Sequence, residues 1–360
     1  MPIVLACLQE RAPGERRVAL TPETARKFVA LGATVRIESG AGAEAGFPDA
    51  DYAGVEVQER EALLAAADLL LCVQSPASAD LARLKPGAML VGLLAPHRAD
   101  GREALLAERR ATAFAMEKLP RTTRAQAMDV LSSQAGMAGY KAVLLAAQLS
   151  PRFFPMLSTA AGTIRPSKLL VVGAGVAGLQ AIATARRLGA QVEGFDVRPE
   201  TREQIESLGG RFLDLGVSAA GSGGYARELS AEERALQQQR LAEHLKGIDV
   251  VVCTAAVPGR PAPRIITAAM VAGMKPGSVV VDMAAETGGN CELTRPGENL
   301  RHGGVTVAGP LDLASSGALH ASEMYARNLL NFVGLFLKDG VLAPDWNDEL
   351  LAGTCWQRPG

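Results

Sequence analysis

The sequence predicts an α/β protein built as two doubly wound parallel-sheet units joined by long helices. Three observations predict it. Short apolar runs alternate with helical stretches along most of the chain, the spacing that a parallel sheet with crossover helices requires. At 360 residues the chain exceeds one average domain, so two units are expected. A hydrophobic fraction of 48% with only 4% aromatic describes an Ala/Leu/Val core suited to close-packed α/β layers.

In the first unit, Ile3–Leu8 reads as a strand. Thr21-Pro22-Glu23 then opens a helix that runs to Gly32, with Thr21 as N-cap and Pro22 in the first turn. Ala33–Glu38 is the next strand. Gly40–Gly46 is a glycine loop read as a turn, because no acid stands at the right distance beyond it. A helix at Ala62–Ala67, a strand at Asp68–Val73 and a short helix at Ser78–Leu84 follow. The strand Met89–Leu94, the helix Gly101–Arg109 and the strand Thr112–Met116 complete the unit.

Val130–Leu149, rich in Ala, Leu, Met and Ser, is long enough for a helix joining two domains. Ser158–Gly162 reads as a small-residue turn. Strands at Leu169–Val172, Gln191–Phe195, Asp249–Thr254, Ser278–Asp282 and Val305–Ala308 build the second unit. From His320 to Leu337 the amphipathic pattern resumes as a second long helix, which returns the C-terminus to the first unit. The expected boundaries are 1–131 with 322–360 for the first, discontinuous domain and 132–321 for the second.

The second unit carries the sharpest motif. Gly173-Ala174-Gly175-Val176-Ala177-Gly178 stands between an apolar strand and a helical stretch ending at Gly189. Glycine serves the turn at Gly173, close phosphate approach at Gly175 and helix-on-strand packing at Gly178. A lone pattern of this kind is weak, since small-residue packing alone explains many. Here the next strand ends in Asp196, at the distance where a dinucleotide site places the carboxylate for the adenosine ribose hydroxyls. The N–H groups opening the helix would face the pyrophosphate. The second unit is therefore expected to be a Rossmann-like NAD-binding domain, and the first to be Rossmann-like in architecture.

Composition excludes other classes. Lys+Arg 37 against Asp+Glu 38 leaves a net charge of −1, with no general attraction to nucleic acid or anionic lipid. No apolar run reaches about 18 residues, so no membrane span is expected. The N-terminus lacks a basic region and cleavage signal. Cys7, Cys72, Cys253, Cys291 and Cys355 are scattered and without CxxC spacing, which reads as buried thiols in a reducing cytoplasm and no metal site. His97, His244, His302 and His320 read as surface or capping residues rather than bases. Between Leu213 and Ala235 a Gly/Ser/Ala-rich stretch with Tyr225 reads either as a lid over a ligand or as a solvated insertion.

Taken together, these residues resemble the NAD(H)-binding component (domain I, the first portion of the alpha subunit) of proton-translocating nicotinamide nucleotide transhydrogenase. The resemblance rests on Glu15–Pro22, Met116–Asp129 with Leu131-Ser132-Ser133-Gln134, and Gly173–Gly178. It extends to Gly223–Ala226, Pro258–Pro263 and Val281–Asn290, so it spans nearly the whole chain. It implies direct hydride transfer between NADH on this chain and NADP+ on a separate partner domain. Membrane subunits would couple that transfer to proton translocation. It also implies a homodimer, attached through its partners to the inner, cytoplasmic face of the cell membrane. The Gly223-Gly224-Tyr225 loop is shorter here than the family pattern.

Hydride passing between two nicotinamide rings needs no acid, base, metal or nucleophile, so orienting residues stand in for a catalytic set. By resemblance that set is Arg121, Gln126, Asp129, Ser132 and Tyr225, with Gln126 facing the incoming ring. Gly173, Gly175, Val176 and Gly178 would hold the pyrophosphate. Asp196, Val197 and Arg198 would meet the adenosine, with Arg198 beside the adenine. Gly224, Gln237 and Ala256 complete the resemblance's cofactor set. The runner-up is an alanine dehydrogenase-like amino-acid dehydrogenase, which shares the Arg17 context but uses a lysine and a histidine on the keto acid. Here Gln74 and Ala95 stand in those places, with His97 two residues late. A carbonyl reduction without its proton donor is disfavoured.

Overall fold

The computed structural model describes residues 2–219, 227, 229–256 and 260–359. The chain divides into two compact units, Met1–Gln134 with Ala314–Gly360, and Ala135–Leu313.

The first unit begins with β1 (Val4–Cys7), α1 (Pro22–Ala30) and β2 (Thr34–Glu38). Helix α1 starts where the sequence places it. The Thr21 hydroxyl accepts the Thr24 N–H, and the Thr24 hydroxyl accepts the Thr21 N–H in return. Next come β3 (Glu56–Gln58), α2 (Arg60–Ala66), β4 (Leu69–Gln74) and α3 (Ser78–Leu81). Then follow β5 (Met89–Leu93), α4 (Arg102–Glu108) and β6 (Thr112–Ala115). The sheet runs β6-β5-β4-β1-β2-β3, all parallel, and the C-terminal strand Cys355–Gln357 closes it antiparallel on β6.

Because crossovers cover both faces of a parallel sheet, its central strands are apolar at nearly every position. Strand β4 shows this: Leu69, Leu71 and Val73 join Tyr325, Leu329 and Phe332 of the long helix Ala318–Val333. Leu70 and Cys72 face the other way, into Leu63, Leu64 and Leu106. Strand β3 and the C-terminal strand escape the sequence reading because they are short, polar or half-exposed edges with no apolar run.

In the second unit α5 (Val130–Leu149), whose first turn belongs to the first, leads to a hairpin of β7 (Leu157–Thr159) and β8 (Gly162–Ile164). The turn expected at Ser158–Gly162 is thus the tip of a two-stranded ribbon. Then come β9 (Lys168–Val172), α6 (Val176–Arg187), β10 (Gln191–Phe195), α7 (Thr201–Ser207) and β11 (Arg211–Phe212). They are followed by α8 (Ala231–Leu245), β12 (Val250–Cys253), α9 (Ala268–Ala272) and β13 (Val279–Asp282). The antiparallel edge β14 (Asn299–His302) pairs with β15 (Val305–Ala308).

The order is β11-β10-β9-β12-β13-β15-β14. The chain reverses its direction of travel across the sheet after β11, so β9 and β12 lie side by side at the switch point. Ligands of open α/β sheets bind beyond the strand ends at that place. Both sheets are therefore doubly wound and Rossmann-like, each with one antiparallel edge added. The long helix expected from His320 to Leu337 runs Ala318–Val333 instead. Gly334 follows it, and Leu337–Lys338 forms a two-residue strand with Val341–Leu342.

Candidate functional site

The glycine loop of the second unit uses its three glycines differently. Gly173 has φ +99°, and its N–H donates to the Phe195 carbonyl at 2.8 Å. A Cβ on Gly173 would press on Thr254 Oγ1 at 2.8 Å. A Cβ on Gly178 would collide with the Gly173 carbonyl oxygen, so helix and strand touch through bare backbone. Around Gly175 the chain leaves open space: nothing lies within 4 Å of where its Cβ would stand. Gly175 is also the N-cap of the 12-residue helix α6 and has no side chain to bond the first N–H groups. A helix N-terminus opening onto free space suits an anionic phosphate. Val176, the first helical residue, is 47% exposed at this mouth.

Asp196 follows β10 and is buried. Its Oδ2 accepts the Ala174 N–H at 2.7 Å, tying the acid to the glycine loop. Arg198 donates to both carboxylate oxygens, through its backbone N–H and Nε at 2.9 Å each to Oδ1 and through Nη2 at 2.8 Å to Oδ2. Acid and arginine, expected to meet different parts of one adenosine, are thus bonded to each other. Val197 is half-buried, and its carbonyl accepts the Ala219 N–H at 2.7 Å. Gln237 is buried in α8 and Ala256 is exposed. Gly224 and Tyr225 lie outside the described residues, as do Pro258 and Gly259.

Three residues not singled out in the sequence order the backbone at and beside this cradle. The Thr254 hydroxyl, just past β12, donates to the Gly173 carbonyl at 2.8 Å and so holds the loop from below. Asn290 is fully buried and clasps Ala255, accepting its N–H at 3.1 Å and donating to its carbonyl at 2.7 Å. Asp282 is fully buried at the end of β13. It accepts N–H groups of Ala284 and Cys291 and the Thr294 hydroxyl at 2.6 Å. A polar residue ending an otherwise apolar Val-Val-Val strand was the available signal for Thr254 and Asp282.

In the first unit the stretch from Met116 to Asp129 forms two 3-10 turns, Met116–Lys118 and Thr123–Met128. Ala125 and Met128 are buried in the core, while Arg121 and Gln126 are exposed. Asp129 heads α5: its Oδ1 accepts the Ser132 N–H at 3.0 Å and its Oδ2 accepts the Ser132 hydroxyl at 2.5 Å. Asp129 and Ser132 are thereby brought together as a helix cap, and Gln126 stands one turn before them. Among the described residues, no group of His, Cys, Asp and Glu side chains is arranged to hold a metal ion. No described helix is long and apolar enough to cross a membrane. The cysteines are free thiols, all buried except the half-exposed Cys355. His244 Nε2 is hydrogen-bonded to the Glu193 carboxylate.

Comparison with known proteins decides the family. Residues 6–138 match the alanine dehydrogenase/PNT N-terminal domain, and residues 142–360 match the alanine dehydrogenase/PNT C-terminal domain. The chain belongs to the alanine dehydrogenase/PNT family. Within it, an NAD(P) transhydrogenase subunit alpha polypeptide of Rhodospirillum rubrum is 44% identical, covering 99% of this chain and 96% of that protein. A crystal structure of transhydrogenase from Sinorhizobium meliloti superposes with a TM-score of 0.89 at 43% identity, covering 98% of this chain and 97% of that one. An alanine dehydrogenase of Halomonas elongata is more distant, at 31% identity over 78% of this chain and 72% of that protein.

In this alanine dehydrogenase/PNT member the surroundings of Arg17 form a closed polar network. Arg17 Nε and Nη2 donate to Glu15 at 2.7 and 2.5 Å, and Nη1 donates to Gln134 Oε1 at 2.8 Å. Gln74 Nε2 donates to the same Glu15 at 3.1 Å. Arg17 Nε, Nη1 and Nη2 thus all donate to residues of the chain itself, and His97 is exposed.

Proposed function

We propose that this chain is the NAD(H)-binding subunit of a proton-translocating transhydrogenase. The observation that carries the reading is the end-to-end match to the Rhodospirillum rubrum transhydrogenase alpha polypeptide, covering 99% of this chain and 96% of that protein. The cradle fits the cofactor. Gly175 leaves room for a phosphate at the start of α6, and Asp196 offers a carboxylate beyond the neighbouring strand. Bound nicotinamide supplies the hydride chemistry. The chain's own residues bind, orient and exclude water. Gly173, Gly175, Val176 and Gly178 would hold the pyrophosphate, and Asp196, Val197 and Arg198 the adenosine. Arg121, Gln126, Asp129 and Ser132 would orient the reactive ring, and Gln237 and Ala256 complete the proposed cofactor set. Gly224 and Tyr225 belong to the same proposed set.

NADP(H) would be held on a separate partner domain, and membrane-spanning partners would attach the chain to the cytoplasmic face of the cell membrane. A second copy of the chain completes the proposed assembly. The β7–β8 ribbon supports it, since all its strand residues are exposed, with Leu157 at 37% and Ile164 at 45%. Two-stranded ribbons are marginal alone and gain stability by packing against something else. Sedimentation of the purified chain tests the dimer, and Ile164→Asp should shift it toward monomer.

The deciding experiment mixes the purified chain with its NADP(H)-binding partner and follows hydride transfer from NADH to an NADP+ analogue. Transfer should require both components, and alanine should not reduce NAD+ on the isolated chain. Robust alanine oxidation would favour the dehydrogenase reading instead. Against that reading stands Gln74, bonded to Glu15 where the dehydrogenase would need a lysine.

A further inference from the structure

We propose that Asn328 is a positioning residue that holds the Gln126–Ser132 segment in the shape hydride transfer requires. The inference rests on the reading of that segment as the nicotinamide-orienting loop. Asn328 lies on the helix Ala318–Val333, within the first unit, and is only 8% exposed. Its Nδ2 donates to the Ala127 carbonyl at 2.8 Å, between Gln126 and Asp129. Its Oδ1 accepts the Ser133 hydroxyl at 2.7 Å, one residue past Ser132. One side chain thus grips the segment on both sides of Asp129.

The grip has a direction. Arg17 donates to Gln134, Gln134 Nε2 donates to Ser133 Oγ at 3.1 Å, Ser133 donates to Asn328, and Asn328 donates to Ala127. The Ser133 hydroxyl also lies 3.2 Å from the Val130 carbonyl, so the orientation is fixed at the other end: flipping the amide would set its oxygen against the Ala127 carbonyl. Asn331, one turn on, adds a second donor to the same carbonyl at 3.0 Å. Two side-chain amides thus meet on one loop carbonyl, and together they fix where the loop backbone sits. Asn328 is far from any acid–base role. It acts through the backbone that carries Gln126, Asp129 and Ser132.

The test is Asn328→Asp, which keeps shape but faces Ala127 with a second acceptor. Asn331→Ala removes one donor without burying a charge. In Asn328→Asp, hydrogen exchange at the amides of residues 126–133 should quicken at least tenfold. Hydride transfer with the NADP(H)-binding partner should fall at least tenfold while the NADH dissociation constant moves less than twofold. A displacement of about 1 Å suffices for such a loss. Asn331→Ala should show the same split, reduced to a few-fold. Unchanged exchange would overturn the proposal, and so would equal losses of affinity and rate, or loosened exchange with normal transfer. If the unaltered chain itself transfers no hydride with its partner, the functional reading fails, and the exchange measurement still decides whether Asn328 holds the segment.

Discussion

Arg198 turns back onto Asp196 and places Nε and Nη2 on opposite oxygens of its carboxylate at 2.9 and 2.8 Å. The Ala174 N–H and the Arg198 backbone N–H occupy the same carboxylate. Ribose hydroxyls can therefore reach Asp196 only by replacing the guanidinium, whereas the two backbone donors can stay. On the proposed reading, the acid is therefore expected to matter more to binding than the arginine.

It follows that Asp196→Asn should weaken NADH binding tenfold or more, about 1.4 kcal/mol. Arg198→Ala should change it less than about threefold, because the gain of a freed carboxylate offsets the loss of an adenine neighbour. NADPH should bind more weakly than NADH, since a 2′-phosphate would be repelled by Asp196. Fluorescence titration of the three proteins with both nucleotides measures all of this. Tighter NADPH binding by the unaltered chain would sink the assignment.

The loop of the first unit makes a different prediction. Arg121 and Gln126 are exposed and bury little apolar surface, so Arg121→Ala and Gln126→Asn should leave the melting temperature nearly unchanged. If they orient the nicotinamide, partner-dependent transfer should fall on the order of a hundredfold with a much smaller change in NADH affinity. Stopped-flow transfer alongside equilibrium titration separates the two. Parallel losses would mean that the loop only helps to hold the cofactor.

How much of this was legible in the residues follows from where the information sits. Strands β4, β9 and β12 announce themselves because a parallel sheet buried on both faces tolerates few side chains that are not apolar. Thr21 and the three loop glycines are local signals, set by cap chemistry and backbone reach. The edges Glu56–Gln58 and Cys355–Gln357 carry no pattern, since an edge strand is specified by its neighbour rather than by its own residues. Long-range partners were invisible for the same reason: nothing near Asn290 says that its amide will clasp Ala255, 35 positions earlier. The pairing of Asp196 with Arg198 was open to a two-residue spacing argument, but either residue could equally have faced a ligand.

Glu10 predicts how stability depends on pH. Burial pushes its carboxyl up to about 7 from an ordinary 4.5, although the N–H groups of Val73 and Gln74 oppose the rise at 2.6 and 3.2 Å. Glu15 adds to the rise and Arg17 counters it. A folded-state value above the unfolded one means that the folded chain holds the proton more tightly. The resulting stabilisation is complete below about pH 4.5 and drains away as pH rises toward 7, with a slope of at most about 1.4 kcal/mol per pH unit. Glu10→Gln cannot titrate, so the difference in melting temperature between variant and parent should move in the variant's favour from pH 5 to pH 7.5. A difference that stays constant across that range would remove Glu10 from the account.

The glycine loop offers the sharpest separation between binding and folding, because two of its glycines have opposite surroundings. At Gly178 a methyl group would meet the Gly173 carbonyl oxygen, with Thr254 Oγ1 a further 3.0 Å contact, and backbone cannot yield as a flexible side chain can. Gly178→Ala should therefore cost roughly 3 kcal/mol or more of stability and lower the melting temperature of the second unit. At Gly175 the backbone has φ −78°, which any residue adopts, and no atom of the chain lies within 4 Å of the new methyl. Gly175→Ala should fold and melt as the parent does. If the open space is where the pyrophosphate approaches the first turn of α6, that same methyl should weaken NADH binding tenfold or more. Thermal melting and NADH titration of the two variants, side by side, give the answer. Normal NADH affinity in a fully folded Gly175→Ala protein would show that the phosphates bind somewhere else.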